Sequence, residues 1–156
     1  DLNENDFTLH SVPWNDATSS TPALTRLTQT PQVSEEFPVV SHDGSMLAFR
    51  ELVFAAGDPL HPTAERIKVL KITPAGAPDF SQPLFLVSLS APAEIGISGI
   101  DFTADDKGLL VAVKTAGVQS NDAPGLQEIF FIKLDGSGQQ RLTNNNVADQ
   151  DPRALR

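Results

Sequence analysis

The side chains in this sequence best suited to hold an ion form two clusters, Asp101, Asp105 and Asp106, and then Asn144, Asn145, Asn146, Asp149 and Asp151. Calcium takes about 6–8 oxygen ligands, and both clusters are rich in such donors. Their spacing argues against it. The best-known calcium loop sets acidic residues at alternating positions and closes with a Glu, which neither stretch does. Short Asp and Asn side chains more often bond nearby backbone N–H groups. The expectation is no cofactor, with Asp101, Asp105, Asp106, Asp149 and Asp151 standing as the calcium candidates.

Catalytic chemistry finds less support. His10, His42 and His61 are far apart and lack the His-x-x-x-His spacing of a metal pair, so they read as surface or turn residues. Cysteine is absent, which removes thiolate nucleophiles, disulfides and Cys-based zinc or iron–sulfur sites. "GISGI" at Gly96 to Ile100 is only superficially a Gly-x-Ser-x-Gly elbow, because no long helical segment follows it. Asp43-Gly44 and Asp135-Gly136 read as tight turns, where Asp and Gly tolerate the required backbone angles. The chain is not expected to be an enzyme on its own.

Composition sets the frame for these residues. With 156 residues, 40% hydrophobic and 20% charged, the chain is long enough for one core. Twenty acidic against eleven basic residues give a net charge of −9, which repels a phosphate backbone, so no nucleic-acid partner is expected. No apolar run approaches the roughly 20 residues of a membrane span, and no signal-peptide pattern opens the chain. The sequence begins at Asp1 and its only methionine is Met46. A removed leader, or a longer parent protein, is expected.

The elements that must position these residues are strands. "FPVVSHDGSMLAFR", Phe37 to Arg50, places Asp-Gly between two apolar runs, a strong hairpin signal. A polar loop containing Gly57, Pro59 and Pro62 is expected next. "RIKVLKI" then alternates as a half-buried strand, and the turn-rich "TPAGAPDFSQP" leads to "LFLVSL". The same order recurs as "ISGIDFT", "ADDKG", "LLVAVKT", the loop "AGVQSNDAPGLQ", "EIFFIKL" and "DGSGQQRLTNN". Ser41 aligns with Thr103, an offset of 62 (103 − 41). Leu27-Thr28 matches Leu142-Thr143 at 115 (142 − 27), and Pro38 matches Pro152 at 114 (152 − 38). Four-stranded repeats of about 40–50 residues are the mark of propeller blades, and these units are slightly longer. Phe37, Phe49, Phe85, Phe102, Phe130 and Phe131 fall in the expected strands and read as core.

"TRLTQTPQVSEEFPVVSHDGSMLAF" and "EIFFIKLDGSGQQRLTNNNVADQDP" resemble the repeat of TolB-like β-propellers. That repeat runs Arg-Leu-Thr, an Asn/Asp-rich loop, a Pro before a strand, Ser-Pro-Asp-Gly, an Ile-Ala-Phe strand, and an Ile-Tyr strand ending in Asp-Gly. The likeness covers Leu24 to Pro152. His42 stands where the family has Pro, Val40 where it has Trp, and the second unit carries "TADDKG" instead.

The resulting expectation is an all-β chain of about two full four-stranded propeller blades plus a partial one, forming an incomplete ring. Residues 1–23 would be an N-terminal segment that could belong to a preceding blade, residues 24–152 the propeller, with blades near 37–89 and 97–143, and residues 153–156 the start of a further blade or a tail. The resemblance implies a noncatalytic module binding protein partners at a propeller face or channel, in the periplasm or outside the cell. Two other classes are open. The chain could be the propeller portion of a larger enzyme, such as a peptidase, lyase or oxidoreductase. It could also be a self-assembling structural protein, a homo-oligomer whose copies complete the ring. Leu27, Arg141 and Leu142, at strand edges that would meet neighbouring blades, and Trp14, in irregular "SVPWNDATSSTP", are the expected interaction residues.

Overall fold

The computed structural model describes residues 7–11, 24–28, 30–90, 96–114, 127–135 and 137–154. No helix occurs among them; the fold is all-β, in three antiparallel sheets of two, four and four strands, and no sheet closes into a ring. A short hairpin pairs β1 (His10–Ser11) with β2 (Thr25–Arg26). The first full sheet is a meander of β3 (Val33–Val40), β4 (Met46–Ala55), β5 (Asp58–Ile72) and β6 (Pro78–Ser90). The second is a meander of β7 (Ile97–Phe102), β8 (Gly108–Lys114), β9 (Gln127–Lys133) and β10 (Gln139–Arg141).

The three sheets stack face to face, as the side-chain pattern requires. In "MLAFREL" Leu47 and Phe49 point to one face and Ala48 to the other, and all three are buried. A strand buried on both faces must lie in a middle layer. Leu47, Phe49 and Leu70 pack with Leu9 of the hairpin segment, and Leu27 lies against them. On the opposite face Ala48, Ile67, Val69 and Leu86 pack with Ile97, Ile100, Phe102, Leu109, Val111 and Ile132 of the second sheet. The first strands β3 and β7 contact one another where the two sheets meet.

The repeat read from the sequence returns as repeated hydrogen bonds. In the β3–β4 turn, Ser41 Oγ accepts the Met46 N–H (2.9 Å) and donates to Asp43 (2.8 Å). In the β7–β8 turn, Thr103 Oγ1 accepts the Gly108 N–H (3.0 Å) and donates to Asp105 (2.8 Å). Gly44 and Asp106, 62 apart (106 − 44), both hold positive φ, 73° and 54°. The two Arg-Leu-Thr segments agree as closely. Arg26 Nε donates to the Thr28 carbonyl (2.7 Å), and Arg141 Nε to the Thr143 carbonyl (2.8 Å). Leu27 and Leu142 each donate a backbone N–H at 2.8 Å, to Leu9 and Ile129 respectively. Phe37 and Asp151, each just before a proline, share positive φ of 52° and 50°.

The strands extend beyond their expected limits in the first sheet. The stretch around Pro59 and Pro62 is the outer end of the β4–β5 hairpin, turning at Ala56-Gly57, rather than a polar loop. Pro62 pairs with Phe54 at a shift in register, and the Phe54 N–H goes to Gln32 instead (2.8 Å). A bulge demands no ladder N–H from proline, so the strand continues through it. Likewise β3 begins at Val33, four residues before Phe37 (37 − 33), because Glu35 and Glu36 pair with Glu51 and Arg50 ahead of a bulge.

Candidate functional site

Among the described residues four glutamates are buried between the layers or within a sheet. Glu35, Glu51, Glu65 and Glu128 are each 3% exposed or less. Burying an ionised carboxylate is costly unless its oxygens are filled. Glu51 takes Arg66 Nε (2.6 Å) and Lys68 Nζ (2.8 Å), and the Lys68 ammonium lies 5.8 Å from the rings of Phe49 and Phe80. Glu128 takes Arg141, the Thr143 hydroxyl and the Asn145 N–H. Glu35 takes the Thr28 hydroxyl (2.7 Å), which itself accepts the Leu9 N–H (3.0 Å).

Glu65 joins the two full sheets. Its carboxylate accepts the N–H groups of Gly96 (2.6 Å) and Ile97 (2.9 Å), where β7 begins, and it also receives Arg50 Nε. Arg50 reaches on to Glu36 (2.8 Å) and lies 5.7 Å from the Phe37 ring. One polar chain thus runs from β3 through β4 and β5 to β7. A second tie links the two turns: Asp106 accepts the His42 N–H (2.9 Å) and the Asp43 N–H (3.0 Å) and contacts His42 Nδ1 at 3.0 Å.

Four of the five calcium candidates, Asp101, Asp105, Asp106 and Asp149, accept hydrogen bonds from different donors. Asp101 accepts the N–H groups of Phe102 (3.0 Å) and Ala154 (2.8 Å), and Asp105 accepts the Thr103 O–H (2.8 Å) and the Lys107 N–H (3.2 Å). Asp149 accepts Asn145 Nδ2 (2.8 Å), and Asp151 lies over Gly99, where a Cβ would come within 3.1 Å of it. Among the described residues no group of three or more His, Cys, Asp or Glu side chains converges on one point. The bonds fix charge as well. The Thr103 hydroxyl and the Lys107 N–H hold Asp105 below the usual carboxylate range. Burial pushes Asp106 up, but the N–H groups of His42 and Asp43 outweigh it and its pKa falls. Carboxylates held this firmly ionised are poorly matched to proton transfer near neutral pH.

The expected interaction residues fall into different settings. Leu27 is half-buried against the hairpin-side core. Arg141 is engaged with Glu128 and the Thr143 carbonyl, while its neighbour Leu142 is 49% exposed. Trp14 lies outside the described residues. The buried glutamates were missed, although the alternation carries their signal: Glu51 has the parity of Leu47 and Phe49, and Glu65 that of Ile67 and Val69. The chain matches no family model and no curated protein.

Proposed function

We propose that this chain is a noncatalytic TolB-like β-propeller module, serving protein–protein binding or assembly as part of a larger extracytoplasmic protein. One observation carries the reading: the turn bonds repeat partner for partner 62 residues apart (103 − 41), and the Arg-to-Thr carbonyl bonds 115 residues apart (141 − 26). Their sheets also stack with first strand beside first strand. Repeated four-stranded meanders in that arrangement are what propeller blades are made of. Two of the buried carboxylates, Glu35 and Glu65, join one layer to the next, which suits a scaffold.

The test is an experimental structure of the polypeptide isolated from its source, together with its denatured mass. The expected result is a set of four-stranded sheets radiating from one axis, with β3 and β7 innermost. Sheets that stack without a common axis, as in a sandwich, would refute the reading.

A further inference from the structure

We propose that this chain cuts its own backbone at the Asp58–Pro59 bond, with the Asp58 carboxylate as nucleophile and His61 as proton donor. This goes beyond the propeller reading and does not rest on it. The bond lies at the tip of the β4–β5 hairpin, just after the exposed turn at Ala56-Gly57, where Gly57 holds a φ of +84°. One Asp58 oxygen accepts the N–H groups of Leu60 and His61, both at 3.2 Å. Those bonds fold the carboxylate back over the peptide unit that joins Asp58 to Pro59. His61 Nδ1 lies 3.0 and 3.2 Å from the two Asp58 oxygens. The Asp58 and His61 side chains are 46% and 80% exposed, so water reaches both.

Proline suits the leaving side of such a bond, because its nitrogen carries no N–H in the chain and departs as a secondary amine. An Asp58 carboxylate oxygen adds to the Asp58 backbone carbonyl carbon, and the C–N bond to Pro59 breaks. The departing nitrogen takes the proton that His61 brings to the carboxylate. A cyclic anhydride is left on Asp58. Water opens it to two carboxylates and releases two protons, one of which returns to His61 while the other charges the new prolyl amine. The net change is hydrolysis of one peptide bond by one water. A nucleophile held beside its target has the advantage of an intramolecular reaction. The reacting form pairs an ionised Asp58 with a protonated His61. The hydrogen bond from His61 holds the Asp58 carboxyl below the usual carboxylate range, so Asp58 stays ionised on acidification to where imidazole side chains take up a proton. Across the ladder Asp58 faces Ala55, and His61 is the charged group acting on it among the described residues.

The molecule carries its own control in a second Asp-Pro bond, Asp151–Pro152. There Pro152 is buried against Gly99. Among the described residues each histidine is engaged elsewhere: His10 with the Thr8 carbonyl, His42 with Asp106 and His61 with Asp58. The backbone at Asp58 can also part without dismantling the sheet, since β4 and β5 stay paired from Met46 and Lys71 to Val53 and Ala64. The product is a nicked sheet with two new chain ends at an exposed tip.

The test is incubation of the folded chain between about pH 8 and pH 5, followed by mass spectrometry under denaturing conditions. Fragments 1–58 and 59–156 are expected, their masses summing to one water above the 16.7 kDa chain. Cutting should quicken as pH falls and run at least about tenfold faster than at Asp151–Pro152. Unfolding in urea should abolish that difference. His61→Gln should abolish it too, with an unchanged circular-dichroism spectrum, and hydroxylamine should trap the anhydride as a hydroxamate on Asp58. An uncut chain, equal cutting of the two bonds in the folded state, or a difference that survives urea would overturn the proposal. So would cutting without hydroxamate, or a folded His61→Gln variant that cuts as fast as the wild type; if that variant fails to fold, the two bonds of the wild type decide. An uncut chain would leave the propeller reading standing, since that reading is judged by the arrangement of sheets around an axis.

Discussion

Each buried glutamate depends on its partners, and removing either side of the contact should be expensive. Glu65→Leu would leave Arg50 Nε and the Gly96 and Ile97 N–H groups without their acceptor, although Arg50 keeps its contact with Glu36. A loss of about 3–5 kcal/mol is expected, measured by urea unfolding. Glu65→Gln should lose less, since its amide oxygen can still accept one N–H. Thr28→Val strips the Leu9 N–H and the Glu35 carboxylate of the hydroxyl between them, and about 2–3 kcal/mol is expected. Glu128 carries a pH signature. Burial pushes its pKa up, but Thr143, Arg141 and the Asn145 N–H outweigh it, so the folded value lies below the ordinary 4.5. A lowered folded pKa means its stabilisation is complete above the unfolded value and is lost as pH falls through the folded one. The stability gap between the wild type and Glu128→Gln should therefore narrow when unfolding is followed from pH 7 to below about pH 4.

At the level of strands and turns, Gly44 isolates the cost of backbone geometry. Its φ is +73°, and nothing lies within 4 Å of where a Cβ would stand. Gly44→Ala should cost about 1–2 kcal/mol through the left-handed conformation alone, seen as a lower urea midpoint with an unchanged slope. Asp106 takes the same conformation without being glycine because its carboxylate is held by the His42 and Asp43 N–H groups. The Asp43-Gly44 hairpin, the alternation of "RIKVLKI" and the duplicated Arg-Leu-Thr were legible because they are local patterns. The continuation of β5 through Pro59 and Pro62 was not, because proline signals a break unless a bulge relieves it of a ladder bond, and the bulge depends on Gln32 reaching Phe54. Nor could sequence pair Glu65 with Gly96, 31 residues on, since no local rule ties a carboxylate to the N-terminal end of a strand in another sheet. Parity pointed the glutamates inward; only the packed layers say what meets them.

For the whole molecule, the shared core between the two full sheets fixes the cooperativity. Phe102 is fully buried among residues of both sheets. Phe102→Ala should cost about 3–5 kcal/mol, and calorimetry should still show one transition, because neither sheet keeps its inner face covered when the other unfolds. The order of those sheets along the chain matters during synthesis. Strands β3 to β6 end at Ser90, whereas the residues that cover Ala48, Ile67 and Val69 run on to Ile132. At about 5–20 residues per second, the ribosome needs roughly 2–8 s to supply that cover. For those seconds the nascent first sheet shows water an oily surface that the finished protein hides, and in that interval a chaperone or a neighbouring nascent chain can reach it.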